Sequence, residues 1–167
     1  MTKIKKWQVL KTTDVSPSKW FPIRKDKVKL TNGNVIDDFY TARLGDIVMV
    51  LPITRNKEIV FVRQYKHGVG EVLIELPAGF IPTGMTAEAA AVLELEEETG
   101  IKVRQSDLIN MGKTSLFTTK TDSRVFEFAV KDVEFNSHQH LDPTENIEIM
   151  IIAIIACITT SRAIIAH

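Results

Sequence analysis

Three glutamates, Glu94, Glu97 and Glu98, stand at helix spacing in Glu94-Leu95-Glu96-Glu97-Glu98-Thr99-Gly100, and no lysine or arginine accompanies them between Ala87 and Thr99. At roughly 100° per residue they occupy about one third of a helix circumference, with only Ala87 and Ala90 beside them. Like charges three and four residues apart repel by a few tenths of a kcal/mol per pair. A solvated acidic face is the ordinary use of such residues. The chemistry open to them is to hold a divalent cation, which would relieve the repulsion. Oxygen-only donors suit magnesium or manganese, which keep some waters and take further ligands from substrate phosphates.

A helix must hold these carboxylates in phase. Thr86 is an N-cap residue, Glu88 falls in the first turn where the helix dipole favours a negative charge, and Gly100 is a C′ stop, so the spacing predicts a helix over Ala87 to Thr99. Ala91, Val92 and Leu95 form a different stripe, fit for a core, while Ala89 and Glu96 point to solvent; the acid face and the core face are expected to be separate. Upstream, the strand Val72 to Leu76 leads into the turn Pro77-Ala78-Gly79. A strand opening through glycine exposes carbonyls at a sheet end, which makes the Ala78 carbonyl a natural extra metal ligand; an ordinary turn is the other reading.

Gly79 followed by Glu94-Leu95-Glu96-Glu97-Glu98-Thr99-Gly100-Ile101 resembles the Nudix box, which reads Gly, five residues, Glu, seven residues, Arg-Glu-apolar-any-Glu-Glu-any-Gly-apolar. Glu75-Leu76-Pro77-Ala78-Gly79, with Arg63-Gln64-Tyr65-Lys66 upstream, resembles the ADP-ribose pyrophosphatase branch of that family. The likeness runs from about Trp20 to Ile152. It implies an α/β fold, a Nudix α/β/α sandwich with a mixed β-sheet and an N-terminal antiparallel β extension. It implies Mg2+, with Mn2+ as the alternative, on Glu94, Glu97, Glu98 and the Ala78 carbonyl, Glu97 counting also as catalytic. It places Lys66, and after it Arg63, near a substrate phosphate, beside the Gly79 turn. Lysine offers a point charge there, not arginine's bidentate fork. A loop glutamate in this family acts as general base or orients the attacking water, a role that falls on Glu145, with Glu148 as the alternate. Phe117, in a loop expected to border the substrate, stacks on a base or fills core. Where relatives specialised for ADP-ribose often carry a proline, this loop has Leu116-Phe117-Thr118.

Two box positions depart from the pattern. Met85 stands where the family has its first glutamate and Leu93 where it has arginine. An ion pair exchanged for an apolar contact is tolerated by folds, but loss of a cation beside the carboxylates points to weaker metal binding or lower activity.

The remaining elements follow from alternation and turn chemistry. Trp7 to Leu10 and Lys19 to Ile23 read as short strands, the second weakened by Pro22. Lys27 to Thr31 and Asn34 to Tyr40 flank Asn32-Gly33, a hairpin signal. Asp46 to Leu51 and Glu58 to Gln64 read as buried strands joined at Arg55-Asn56-Lys57. Asp107 to Met111, Arg124 to Val130 and Ile147 to Ile152 complete the set. In Arg124 to Val130, Phe126, Phe128 and Val130 make the core stripe, and Glu127 marks a partly wet opposite face shared with Val125 and Ala129. His138 and His140 read as surface loop, lacking a third ligand. The apolar stretch Ile149 to Ile158 is too short to span a bilayer; its first half reads as a buried strand and the tail to His167 as a subunit contact or an aggregation hazard.

The chain has 167 residues, one domain's worth, with Lys plus Arg and Asp plus Glu at 21 each. That balance favours neither nucleic acid nor an anionic membrane. A lone cysteine, Cys157, offers no disulfide framework and fits a reducing cytoplasm. The expected division is 1–44 as N-terminal β extension, with Trp20 and Phe21 at a homodimer contact, and 45–167 as the hydrolase domain. The expected reaction is metal-dependent hydrolysis of a nucleoside diphosphate linked to another group, ADP-ribose or an ADP-sugar. A catalytically weak domain that binds a nucleotide as a sensor or interaction module is the alternative.

Overall fold

Runs of β-branched residues broken by turn signals build most of this chain from strands. The computed structural model describes residues 4–159, and for 157–159 the backbone alone. It divides into two units.

The first comprises the chain up to Asp46 together with Ser115–Arg124. Its strands β1 (Gln8–Asp14), β2 (Ile23–Lys29) and β3 (Val35–Ala42) form an antiparallel sheet in that order. The β2–β3 turn is the one its sequence foretells. Leu30 N–H donates to the Asn34 carbonyl at 2.8 Å, Gly33 takes φ 92°, and the Asn32 side chain accepts from Asn34 N–H at 3.0 Å. Asp26, 3 % exposed, keeps its charge satisfied by the Thr12 hydroxyl at 2.7 Å and by Arg24 at 2.7 Å. Lys19 to Ile23 is not a strand. Phe21 N–H closes a turn on the Ser18 carbonyl at 3.2 Å and the Ser18 hydroxyl accepts from Trp20 N–H at 3.2 Å, while Pro22 has no N–H for a ladder. Within 115–124, Phe117 adopts φ 36°, and Lys120 accepts through its carbonyl from Ala42 N–H at 2.8 Å.

The second unit contains β4 (Ile47–Thr54), β5 (Glu58–Lys66), β6 (Glu71–Glu75), β7 (Ala78–Phe80), α1 (Ala87–Thr99), β8 (Ile109–Ser115), β9 (Arg124–Val133), β10 (Glu148–Ala153) and α2 (Ile154–Thr159). The sheet runs β10-β5-β4-β9-β8, with β6 on β5 and β7 on β4, and it is mixed because β4 and β9 are parallel. Every second residue of β4 is buried, and Val48 and Val50 meet Ala91 and Leu95 of α1, with Val60 and Phe128 from the flanking strands. Full burial of Leu95 contributes about 2 kcal/mol by area, and its removal to Ala would cost about 2–5 kcal/mol. This is an α/β sandwich with few helices: among the described residues α1 is the long one and α2 the only other α-helix.

Four local expectations change. Pro77-Ala78-Gly79 does not end as a free turn, because Ala78–Phe80 pairs with Ile47–Met49 and Val50 N–H takes the Pro77 carbonyl at 2.9 Å. Asp107 lies in a 3-10 turn, Gln105–Asp107, where its carboxylate accepts from Arg104, so β8 starts later, at Ile109. On β9 the second face is wet only around Glu127, which is half-buried with its carboxylate accepting from the Thr114 hydroxyl at 2.9 Å, whereas Val125 and Ala129 on that face are buried, as Phe128 is on the other. β10 pairs with β5 alone, so Ile151 is half exposed where a buried strand was expected. The expectations for the tail beyond Thr159 lie outside the described residues. Among the described residues no helix is long and apolar enough to cross a membrane.

Candidate active site

The caps fix α1 in rotation and length. The Thr86 hydroxyl accepts from Ala89 N–H at 3.2 Å; at the other end Gly100 takes φ 71° and gives its N–H to the Glu96 carbonyl at 2.8 Å. With Ala90, Ala91 and Leu95 pressed into the core, Glu94, Glu97 and Glu98 follow on one side. The acid and core faces are not separate, however. Glu98 is only 4 % exposed and accepts from Ala78 N–H at 3.0 Å. The β7–β4 register explains the contact. The Val50–Pro77 bond makes Gly79 and Val48 a hydrogen-bonded pair, so the Ala78 N–H and carbonyl both face away from β4. Gly79 makes room for the neighbouring acid: a Cβ there would overlap the Glu94 carboxyl group.

These carboxylates lack cationic partners. Among the described residues none of Glu94, Glu97 and Glu98 forms an ion pair. Burial, then repulsion from Glu97, Glu145 and Asp142, raises the Glu94 carboxyl to about 7. Burial likewise lifts Glu98 to about 7, with Glu94 and Glu145 adding to it and the Ala78 N–H and Lys66 opposing. Glu97 is raised by burial and by Asp142 and Glu145, against His140.

Glu145 and Asp142 therefore face the helix acids from the loop between β9 and β10. That loop is tied to the end of α1: Ser137 N–H donates to the Gly100 carbonyl at 2.9 Å and His140 N–H to the Glu97 carbonyl at 2.9 Å. Gly100 is doubly required, since a Cβ there would come 2.7 Å from the Ser137 carbonyl oxygen. Within the loop Glu145 N–H donates to the Asp142 carbonyl at 2.9 Å and Asp142 N–H donates to Glu145 Oε2 at 2.9 Å.

Lys66, at the end of β5, lies within electrostatic reach of Glu98 and pairs with Glu75 at 3.2 Å. Arg63 is opposite Glu148 in the β5–β10 register and pairs with it at 3.4 Å, which commits both side chains to the sheet edge. Phe117, 70 % exposed, belongs to the first unit, whereas the carboxylates belong to the second. His138 and His140 are exposed in the loop, as their sequence context suggested. Asp142 and Gln139 escaped the sequence reading. Asp142-Pro143 carries a turn signal, but nothing in the order of residues links Gln139 to a helix so far upstream.

Magnesium or manganese suits this donor set. Among the described residues no three acidic, histidine or cysteine side chains converge as a ready-made ligand cage. The fit rests on the chemistry of the donors: they are oxygens only, and the carboxyls of half-buried Glu94 and buried Glu98 are raised to about 7, first by burial and then by neighbouring carboxylates.

Residues 43–153 match the NUDIX domain and residues 7–41 the nucleoside diphosphate sugar hydrolase N-terminal domain. A methanol dehydrogenase activator of Bacillus methanolicus is 30 % identical over 69 % of this chain and 62 % of its own. An ADP-sugar pyrophosphatase of Mus musculus is 43 % identical over 37 % of this chain and 32 % of its own, and an ADP-ribose pyrophosphatase of Bacillus subtilis (strain 168) 29 % identical over 75 % and 66 %. The chain thus spans between about a third and two thirds of these relatives' lengths. The crystal structure of an ADP compounds hydrolase shares the fold, with a TM-score of 0.83 at 20 % identity over 97 % of this chain and 86 % of that one.

Proposed function

Since the chain belongs to the Nudix family, we propose that it hydrolyses the diphosphate of a nucleoside diphosphate linked to a second group, foremost ADP-ribose, to AMP and ribose 5-phosphate, or an ADP-sugar, using magnesium or manganese. The observation that carries this reading is geometric: α1 brings Glu98 onto the Ala78 N–H and the Glu94 carboxyl against Gly79, with Glu97 one turn from Glu94 and Glu145 acting on all three from the loop opposite. The ADP-ribose and ADP-sugar pyrophosphatases among its relatives support the substrate class.

Glu94, Glu97 and Glu98 with the Ala78 carbonyl would hold the metal, which when bound neutralises diphosphate charge and favours attack by water at phosphorus. Glu145 accepts the proton of that water as its oxygen bonds to phosphorus and the bridging P–O bond breaks. Its Oε2 is engaged by Asp142 N–H, which leaves Oε1 for the proton. Lys66 gives a point charge to a phosphate, exchanging its pairing with Glu75. Arg63 ranks behind it because Lys66, and not Arg63, is among the charges that act on Glu98. The proposal keeps 1–44 as the N-terminal β extension, pairing two copies as a cytoplasmic homodimer through a sheet whose β1 side chains are all exposed, and 45–167 as the hydrolase domain.

The test is product release from ADP-ribose, ADP-glucose, GDP-mannose and a dinucleoside polyphosphate, each with and without magnesium. Metal-dependent release of AMP from ADP-ribose or ADP-glucose is expected. No turnover of any of them, with thermal stabilisation by a nucleotide, would replace hydrolysis by nucleotide binding alone.

A further inference from the structure

The connection from Val133 to Glu148 contains no helix or strand, yet its first half docks on the last turn of α1, where helix carbonyls lack partners of their own. Asn136 and Ser137 give their N–H groups to the Gly100 carbonyl at 3.2 and 2.9 Å, and His140 gives its N–H to the Glu97 carbonyl at 2.9 Å. Gln139 differs from these in reaching two ways. Its Nε2 lies 2.7 Å from the Glu98 carbonyl and 3.4 Å from the carbonyl of Ile147, the residue before β10. A primary amide nitrogen carries two hydrogens and can serve both acceptors. One side chain thus ties the exit of the 140–146 stretch to its entrance, on the backbone of a residue that also supplies a carboxylate to the site. Inside that stretch the reciprocal Asp142–Glu145 turn fixes the Glu145 carboxylate relative to the loop, but not the loop relative to the helix.

We propose that Gln139 is a positioning residue for Glu145: its amide closes the 140–146 loop on the C-terminal end of α1 and so sets Glu145 against the helix carboxylates. The inference rests on the reaction proposed above. Gln139 carries no charge, and its role is to act through Glu145.

Gln139→Met keeps the length of the side chain and removes both donors. Steady-state turnover of ADP-ribose should show kcat lowered about tenfold, the scale of two lost hydrogen bonds, with KM and the magnesium requirement within about twofold. Gln139→Lys, which restores a donor, should recover most of kcat. In a Glu145→Gln background Gln139→Met should cost less than about twofold, because the residue it positions is already gone. Amide hydrogen exchange should quicken over 140–146 and stay unchanged in the middle of α1. Equal losses in both backgrounds, no rescue by lysine, or wild-type kcat in Gln139→Met would each overturn the proposal. Should Gln139→Met fail to fold, Gln139→Ser is read in its place. If the wild-type chain turns nothing over, the reaction fails rather than the loop closure; the exchange arm then decides alone, and unchanged exchange over 140–146 overturns it.

Discussion

Glu98 is a buried residue to which the proposed reaction gives a metal. Its place under β7 forces a carboxyl into a site with one N–H donor and several negative neighbours, and its pKa rises to about 7. Glu94, raised to about 7 over Gly79, shares the strain. A carboxyl whose folded pKa lies above its unfolded value binds its proton more tightly when folded. The stability it contributes is therefore complete below the unfolded 4.5 and is lost as pH rises to about 7. Thermal unfolding of metal-free protein should show stability falling between those pH values, by on the order of 2 kcal/mol once the coupling of the two acids and the partial solvation of Glu94 are allowed for. Saturating magnesium at pH 8 should restore it, by about 2.7 kcal/mol at 100 times the dissociation constant; a flat metal-free profile would contradict the assignment. Gly79→Ala pushes the Glu94 carboxyl aside. Because that group ends a movable side chain, turnover should drop by at least about tenfold while the melting temperature moves little, checked by initial rates beside thermal unfolding. The spacing of the three acids was legible in the sequence. The burial of Glu98 was not, since helical phase alone does not tell which carboxylate a distant strand will cover.

At the scale of elements, α1 was readable to the residue because its caps are local: Thr86 and Gly100 speak for themselves. The loop opposite was not. Gln139 meets Glu98 across 41 positions, and Ser137 meets Glu96 across 41, distances over which no periodicity carries information. The resemblance pointed to Glu145, while the residues that hold it come from tertiary docking. β10 likewise read as buried from composition, though edge strands can be equally apolar. Gly100→Ala meets a positive φ and the Ser137 carbonyl together. It should destabilise by about 2–4 kcal/mol in chemical denaturation, against about 1 kcal/mol expected from the positive φ alone if the loop did not approach. Met85 and Leu93 are 36 % and 37 % exposed, so any contact between them is a surface one. In a double-mutant cycle of Met85→Glu and Leu93→Arg the coupling energy should stay below about 0.5 kcal/mol in stability. Any gain from the pair should appear in the metal requirement instead.

At the scale of the molecule, a turn with exposed aromatics beside one sheet and a helix carrying the carboxylates over the other belong to two separate units of one chain. Trp20 is 80 % exposed and Phe21 46 %, two adjacent aromatics in the turn before β2. If that surface pairs two copies, sedimentation velocity should give a dimer for the wild type and a monomer for Trp20→Ser with Phe21→Ser; a monomeric wild type would remove the dimer from the account. The central claim concerns the other unit, that the α1 carboxylates hold the cation on which hydrolysis depends. It is tested most directly by AMP release from ADP-ribose, with and without magnesium, on wild type and on Glu98→Gln, whose amide oxygen can still accept from Ala78 N–H. The account predicts magnesium-dependent release by the wild type, reduced at least about a hundredfold in a variant that remains folded. Equal turnover by both, or turnover indifferent to magnesium, would contradict it.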